Sequence, residues 1–441
     1  MTQPVDAGVA PGPLAGIRVL EFTQIVAGPV CGVNLSDLGA DVIKVEPPGG
    51  DSHRRLNSIV PGESKFFQGL NRGKRSLVVD LHVPGGRELI HRLVPGIDVV
   101  INNYRLGVPE RLGIDYPTLR AIRPDLIYWQ NTGFGERGPE AGRPGSDIVA
   151  QAYSGLMAVE GKLDADGAPA SLGNPYSDFT AGFAASMGIC AALYHRARTG
   201  RGQYVSTSLL QAALFIQSRQ VMREPVSDAV LRDPAVEAMQ ATRAAGGSLE
   251  DIIAARLPSR RLAVSFTIYY GGYHTLDGAI VLGALTKPNR DAMRRVLGIE
   301  DEPSDDPDFD AADPANIERA AEWKQLVRDR MRTRTSAAWV AAFDAAGVPV
   351  SPLHFPEEMS DDPQVIADGL MTELVHTITG PQRVVGPAVR LSESPTRAAR
   401  AAPALGEHTR EVLAEFGLAP SEIDALTTSG VIRTMSGERG V

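Results

Sequence analysis

Two apolar segments joined by one short helical segment near the start of the chain constrain the fold most strongly. Residues 17–22 (Ile-Arg-Val-Leu-Glu-Phe) and 41–46 (Asp-Val-Ile-Lys-Val-Glu) have the β-branched, apolar character of buried strands. Residues 31–38 between them fit a helix that ends at Gly39. One helix between two strands makes a βαβ unit, whose strands are parallel, so the sequence predicts an open α/β sheet.

The same alternation continues along the first 130 residues or so, with further strands predicted at 77–81, 98–102 and 126–130. We therefore predict an α/β fold: a Rossmann-like open parallel sheet in a large domain, with a smaller inserted α+β domain. The length of 441 residues agrees with two or three domains. The predicted boundaries are residues 1–217 for the large domain, 218–265 for a helical connector, 266–350 for the small domain, and 351–441 for a segment that completes the large domain.

Charge and cysteine content narrow the classes of function. The formal net charge of −9 argues against a general nucleic-acid binder. Segment 300–313 alone holds eight acids and no base, so the rest of the chain is nearly neutral and can still form a local basic pocket. Cys31 and Cys190 cannot build a disulfide framework, and no Cys/His cluster indicates a metal. With no apolar stretch near the roughly 18–20 residues of a membrane span and no signal peptide, we expect a cytoplasmic enzyme.

The first turn of the βαβ unit does not fit a dinucleotide-binding site. That fingerprint needs several glycines, so that the backbone can approach a pyrophosphate. Here the turn 23–29 reads Thr-Gln-Ile-Val-Ala-Gly-Pro and has one glycine. Neither a P-loop nor a GxSxG nucleophile motif occurs. We expect no permanently bound cofactor.

A collinear set of segments, spread over about residues 14–433, resembles the family III CoA-transferases, a group that includes formyl-CoA transferase, carnitine CoA-transferase and α-methylacyl-CoA racemase. The segments that carry this resemblance are 14–20, Ala27-Gly28-Pro29, 38–47, Gly50-Asp51, 71–77, Asn103-Tyr104, Arg111-Leu112-Gly113, Ser177-Asp178-Phe179, 198–205, 347–350, Asp362-Pro363-Gln364 and 405–409. The resemblance implies a homodimer of two interlocked rings. It also implies coenzyme A and acyl-CoA as substrates, with a carboxylic acid as acceptor.

Asp178 resembles the family's nucleophile, an aspartate just before a long helix of small residues. A carboxylate suits this chemistry because it can form an anhydride with the acyl group and then a thioester with CoA. A position at a helix N-terminus leads us to expect an ionised carboxylate at neutral pH. The alternative is that Asp178 only caps the helix.

The resemblance assigns further residues to the site. Gly271 and Gly272, in the sequence Tyr-Tyr-Gly-Gly-Tyr, are the candidates for the family's glycine loop over the intermediates, with an ordinary turn as the alternative. The residues that resemble the family's CoA-contacting positions are Ala27, Lys74, Asn103, Tyr104 and Arg111.

Two departures separate this chain from branches of the family. Val26 stands where formyl-CoA transferases have a glutamine, so formyl/oxalyl exchange is disfavoured and a more apolar acyl pocket is expected. Ser146 stands where the racemases have a histidine base, and a serine alone cannot serve as that base. The alternatives to CoA transfer are an acyl-CoA racemase or epimerase, and a CoA-binding protein without catalysis.

Overall fold

The computed structural model describes residues 11–171, 173–256, 266–299, 302, 304, 308–310 and 313–435. The last part of the predicted connector 218–265 and much of the acidic segment 300–313 lie outside the described residues. The chain divides into two compact units, one made of Met1–Val221 with Ser360–Val441 and the other of Met222–Met359. Most of the segment predicted as a separate connector therefore groups with the second unit.

The strands of the described residues are listed here in chain order. They are β1 (Arg18–Phe22), β2 (Asp41–Glu46), β3 (Arg75–Val79), β4 (Val99–Asn102), β5 (Ile127–Thr132), β6 (Tyr204–Ser208), β7 (Tyr270–His274), β8 (Ala279–Gly283), β9 (Val350–Pro352), β10 (Met371–His376), β11 (Gly380–Val385) and β12 (Ile432–Arg433).

The α-helices of the same residues are numbered in the same way. They are α1 (Ala27–Asp37), α2 (Lys65–Asn71), α3 (Pro84–Leu93), α4 (Val108–Leu112), α5 (Tyr116–Ile122), α6 (Asp147–Ser154), α7 (Leu156–Glu160), α8 (Tyr176–Thr199), α9 (Leu209–Ile216), α10 (Ser218–Val221), α11 (Pro225–Val230), α12 (Arg232–Ala244), α13 (Leu249–Arg256), α14 (Phe266–Tyr269), α15 (Lys287–Leu297), α16 (Pro314–Met331), α17 (Ser336–Ala345), α18 (Pro363–Ala367), α19 (Thr409–Glu415) and α20 (Pro420–Thr428). Short 3₁₀ turns occur at Ser52–Arg54, Val94–Gly96 and Pro356–Asp361.

A seven-stranded sheet organises the first unit, in the order β12-β3-β2-β1-β4-β5-β6. Strands β1 to β6 are parallel. The late strand β12 pairs antiparallel with β3, so the C-terminal segment completes one edge of the sheet. The strand order reverses beside β1, and in open α/β sheets such a reversal creates a crevice at the carboxyl ends of the strands.

Both faces of this sheet are covered, which explains why its strands are apolar runs rather than alternating sequences. Successive residues point to opposite faces, so Leu20 and Phe22 enter one buried cluster while Val19 enters the other. The second cluster is closed by α1 and α8, whose Leu35 and Ile189 are completely buried. This packing fixes α1 and α8 beside the crevice.

The second unit has its own antiparallel sheet, in the order β7-β8-β9. Ile280 and Leu282 of β8 pack with Met293 of α15, Val327 of α16 and Phe343 of α17 in a separate core. Among the described residues, no helix is long and apolar enough to cross a membrane.

Candidate active site

A cavity of about 980 Å³ lies in the first unit, at the carboxyl ends of the parallel strands. Its walls come from the start of α1, from the segment after β4, from the end of β5, and from the N-terminus of α8. Asp178 faces this cavity, as do Val26, Asn103 and Tyr104. The fold therefore brings together residues that are far apart in the sequence, since Val26 and Asp178 are 152 positions apart.

Asp178 is the third residue of α8, and only 7% of its surface is exposed. Burial raises the pKa of its carboxyl from 3.8 to about 7, and the neighbouring carboxylate of Asp147 adds to the rise. A hydrogen bond from the backbone N–H of Ala27 acts in the opposite direction and lowers this pKa. The pKa of Asp178 therefore lies well above that of an ordinary aspartate.

The direction of this shift is opposite to the expectation that the helix N-terminus favours the ionised carboxylate of Asp178 at neutral pH. The free N–H groups at the start of α8 are already used by Asp147, whose Oδ1 accepts hydrogen bonds from the backbone nitrogens of Ser177 (2.8 Å) and Asp178 (3.2 Å). Asp178 does not cap the helix either, because α8 has no side-chain cap of its own and begins two residues earlier. The side chain of Asp178 is left to face the cavity.

Asp147 is a site residue that the sequence analysis missed. It lies at the start of α6, and burial raises the pKa of its own carboxyl. Its position depends on a close crossing of two backbone segments, since a Cβ added at Gly133 would lie 2.7 Å from the Cα of Gly145. Asp147 caps α8 from 30 residues away, and spacing in the sequence does not reveal such a contact. The glycines at positions 133 and 145 are the one signal, since they indicate a tight crossing of two backbone segments.

The predicted CoA-contacting residues Tyr104 and Arg111 line cavities that have lining residues in common. Tyr104 lines the main cavity and also a smaller one of about 220 Å³. That small cavity shares His82 and Val108 with a third of about 270 Å³, which Arg111 lines together with Arg87. Arg105, which the sequence analysis did not single out, lines the main cavity beside Tyr104.

Ala27 lies at the start of α1, and Asn103 contacts the turn after β1. Ala27 is the first residue of α1, and its backbone N–H lowers the pKa of the Asp178 carboxyl. Asn103 lines the cavity, and its side-chain amide hydrogen-bonds the backbone of Gln24. Asn103 is thus engaged with the protein itself.

Lys74 is at variance with the prediction that it contacts CoA. It is completely buried, and its Nζ donates to Glu21 Oε1 (3.0 Å), to Asn71 Oδ1 (2.9 Å) and to the carbonyl of Pro29 (3.0 Å). Burial lowers the pKa of Lys74 to about 8, against the opposing effect of Glu21. The ammonium group is therefore turned into the protein, where it holds the start of α1.

Gly271 and Gly272 lie in β7 of the second unit. They form neither a loop nor a turn, because both residues pair with β8, in register with Leu282 and Val281. Antiparallel pairing satisfies the backbone without a left-handed conformation, and neither glycine has a positive φ. The predicted glycine loop is thus a strand in this structure.

Comparison with known proteins identifies the family. The family model for CoA-transferase family III matches residues 14–409. The chain is 35% identical to the succinate–glutarate CoA-transferase of Agrobacterium fabrum, covering 92% of this chain and 96% of that protein. It is 32% identical to the succinyl-CoA:glutarate CoA-transferase of Mus musculus, covering 95% of this chain and 90% of that protein.

A solved structure agrees with these relatives. The crystal structure of a CAIB/BAIF family protein from Brucella suis matches with a TM-score of 0.67 and 30% identity, over 92% of this chain and 100% of that one. The large parallel sheet of the first unit is consistent with this neighbour. The chain belongs to CoA-transferase family III, and it is an enzyme that transfers CoA between an acyl-CoA and an acid.

Proposed function

We propose that this enzyme moves CoA from an acyl-CoA donor to a carboxylic acid acceptor through covalent intermediates on Asp178. The observation that carries the proposal is a buried carboxylate, with its pKa raised to about 7, facing a cavity of about 980 Å³. Perturbed titration inside a concave site is typical of a reacting group.

The reaction begins when an Asp178 oxygen attacks the acyl carbon of the donor. The C–S bond breaks, a CoA thiolate leaves, and an aspartyl anhydride remains. The thiolate then attacks the Asp178 carbonyl carbon, which releases the first acid as a carboxylate and leaves an aspartyl-CoA thioester. The acceptor carboxylate repeats these two steps in reverse order, so Asp178 is regenerated and no proton is consumed.

The surroundings of Asp178 suit each of these steps. A carboxylate whose pKa is raised is more nucleophilic than an ordinary one, and burial keeps water away from the anhydride. The Ala27 N–H that now binds the carboxylate can bind the same oxygen when it carries charge in a tetrahedral intermediate. Neighbouring apolar side chains, including Val26 and Leu209, line this part of the cavity.

We propose that CoA extends from Asp178 past Tyr104 to Arg111, along cavities that have lining residues in common. Its phosphates need cationic donors, and Arg105, Arg87 and Arg111 line successive parts of this path. Lys74 takes no part in this contact, because all of its protons are used inside the protein.

We propose dicarboxylic acids of four or five carbons as the acids exchanged. The two relatives described above are named for succinate and glutarate. Besides its apolar wall, the cavity has a cationic residue that suits a second carboxylate, the exposed Lys65. Arg72 also lines the cavity, but its guanidinium already pairs with Asp37. Val26 leaves no amide at the position that the formyl-CoA branch uses.

We also propose the interlocked homodimer that the family resemblance implies, with α8 in the interface. Three large side chains share one face of this helix: Phe183, Met187 and Tyr194 are 46%, 71% and 64% exposed. An exposed apolar stripe of this kind favours burial against another chain. Light scattering with chemical cross-linking measures the mass, and a monomer at micromolar concentration contradicts the proposal.

The test of the transfer mechanism is peptide mass spectrometry after incubation with succinyl-CoA and hydroxylamine. Hydroxylamine converts an aspartyl anhydride or thioester to a hydroxamate, so we expect this modification on the Asp178 peptide alone. Asp178→Ala is expected to lose transfer, whereas Asp166→Ala, in an exposed turn, serves as the matched control.

Three outcomes contradict the proposal. Retained activity in Asp178→Ala rules out Asp178 as the nucleophile. Exchange of the α-proton with deuterium oxide, in the absence of an acceptor acid and of a hydroxamate, points to an epimerase instead. Acyl-CoA binding without transfer, exchange or adduct leaves a non-catalytic CoA-binding protein.

A further inference from the structure

The turn between β1 and α1 contains a strained residue next to the nucleophile. Ile25 has φ of +70°, a left-handed conformation that β-branched residues rarely adopt. Its side chain lines the cavity and is 47% exposed, so burial of the side chain does not compensate for this strain. Conformations of this kind persist only where the surrounding structure holds them, and they cluster at functional sites.

The side chain of Asn103 holds the backbone on both sides of Gln24. Its Oδ1 accepts the N–H of Gln24 at 3.0 Å, and its Nδ2 donates to the carbonyl of Gln24 at 2.7 Å. The second hydrogen bond fixes the peptide plane between Gln24 and Ile25. Because rotation of that plane changes φ of Ile25, Asn103 directly opposes relaxation of the strained residue.

Ala27 lies two residues after Ile25, and its backbone N–H acts on the carboxyl of Asp178. The turn is tightly packed on both sides: a Cβ at Gly28 would lie 2.2 Å from Cβ of Thr23, and a Cβ at Gly182 would lie 2.7 Å from the carbonyl oxygen of Ala27. Thr23 is itself held by Lys44, whose Nζ donates to its carbonyl at 2.8 Å. A change in the turn therefore reaches Asp178 rather than being absorbed by loose packing.

We propose that Asn103 is a positioning residue, which holds the strained turn at Ile25 and thereby aims the Ala27 N–H at the Asp178 carboxylate. The proposal rests on the proposed function, in which Asp178 is the nucleophile. It differs from the role that the family resemblance implies for Asn103, which is contact with CoA.

The pKa of Asp178 depends on the charged and titratable groups around it. Asp147, from α6, raises its pKa, and the Ala27 N–H, from α1, lowers it. Other parts of the same cavity are lined by His53, Lys65, Arg72 and Arg105. Burial and Asp147 both raise the pKa of Asp178, and the Ala27 N–H lowers it. If the Ala27 N–H moves away, the pKa of Asp178 therefore rises.

The first experiment measures steady-state kinetics of Asn103→Ala between pH 5.5 and 9. We expect kcat to fall about 10-fold or more at pH 7, the KM for acyl-CoA to stay within about twofold, and the rising limb of kcat/KM to move about one unit toward higher pH. Asn289→Ala is the matched control, because Asn289 donates to the carbonyl of Gly347 in the second unit. If Asn103→Ala raises the KM for acyl-CoA and leaves the rising limb of kcat/KM at the same pH, the proposal is overturned and Asn103 is a CoA contact.

The second experiment is rescue by Ile25→Gly. Glycine adopts a positive φ without penalty. In this variant the turn no longer depends on the hydrogen bonds between Asn103 and the backbone of Gln24. We expect Asn103→Ala to cost several-fold less in kcat in the Ile25→Gly background than in the wild type. This background also favours folding if the single variant is unstable. If Asn103→Ala lowers kcat equally in both backgrounds, Asn103 does not act by holding the strained turn.

A third readout does not depend on activity. The pH at which Asp178 titrates is obtained from the difference in unfolding free energy between a protein and its Asp178→Asn variant, followed across pH. We expect this difference to level off at a higher pH with Asn103→Ala than with Asn103 intact. If the difference levels off at the same pH in both proteins, Asn103 does not position the turn, whether or not the enzyme transfers CoA. Failure of transfer in the wild type overturns only the proposed function.

Discussion

Replacement of Asp178 by asparagine is expected to stabilise the enzyme at neutral and alkaline pH, although it removes the nucleophile. The native fold raises the pKa of this carboxyl from 3.8 to about 7. An acid with a raised pKa ionises in the unfolded chain before it ionises in the folded one. Stability is therefore lost as the pH rises from about 4 to about 7, and it remains lost above that range.

The magnitude follows from the size of the shift. Each pKa unit corresponds to about 1.4 kcal/mol, so roughly three units give an upper value of about 4 kcal/mol above pH 7. At pH 5 the same linkage gives less than about 2 kcal/mol. An asparagine removes the repulsion from Asp147, which favours the variant. Its neutral oxygen accepts more weakly than a carboxylate from the Ala27 N–H, which offsets part of that gain.

Urea unfolding of the wild type and of Asp178→Asn at pH 5 and pH 8 measures this effect. We expect the variant to be more stable by about 2–4 kcal/mol at pH 8, with a clearly smaller gain at pH 5. Asp329→Asn, an exposed position on α16, is the control. A variant that is less stable than the wild type at pH 8, or a gain that does not change with pH, contradicts a buried carboxylate with a raised pKa.

Three further variants test separate parts of the site. Asp147→Asn removes a charge that raises the pKa of Asp178, so the rising limb of the pH–rate profile is expected at lower pH; a limb that stays or moves up contradicts this. Gly145→Ala places a Cβ 2.5 Å from the Cα of Gly133, and calorimetry should show a loss of about 1–3 kcal/mol together with lower kcat, whereas Gly142→Ala, with open space at its Cβ, should not. Arg111→Ala is expected to raise the KM for acyl-CoA about 10-fold with little change in kcat; an unchanged KM removes Arg111 from the CoA path.

The sequence was sufficient for the main elements of the first unit. The apolar runs gave β2 with its observed ends and β1 to within one residue, because strands buried on both faces must be continuously apolar. The position of Asp178 came from the family motif, and the structure places it on the cavity with Tyr104 and Asn103.

Features that depend on contacts through space could not be predicted. Lys74 is hydrophilic and follows a turn, yet Gly32 lets Glu21 come close enough to bind it inside the protein. Asp147 caps α8 from another element, and burial together with this carboxylate raises the pKa of Asp178. The strain at Ile25 has no signature in composition, because a residue with positive φ is normally glycine or asparagine.

The most direct test of the account follows oxygen atoms. When the acceptor acid carries ¹⁸O in its carboxylate, its attack on the aspartyl-CoA thioester places one labelled oxygen in the bridge of the anhydride. The thiolate then attacks the acceptor's acyl carbon, so the bridging oxygen stays on Asp178. After turnover with succinyl-CoA and [¹⁸O]glutarate, mass spectrometry is expected to find ¹⁸O in the Asp178 side chain and in no other carboxylate of the protein. Turnover that leaves Asp178 unlabelled contradicts the covalent mechanism.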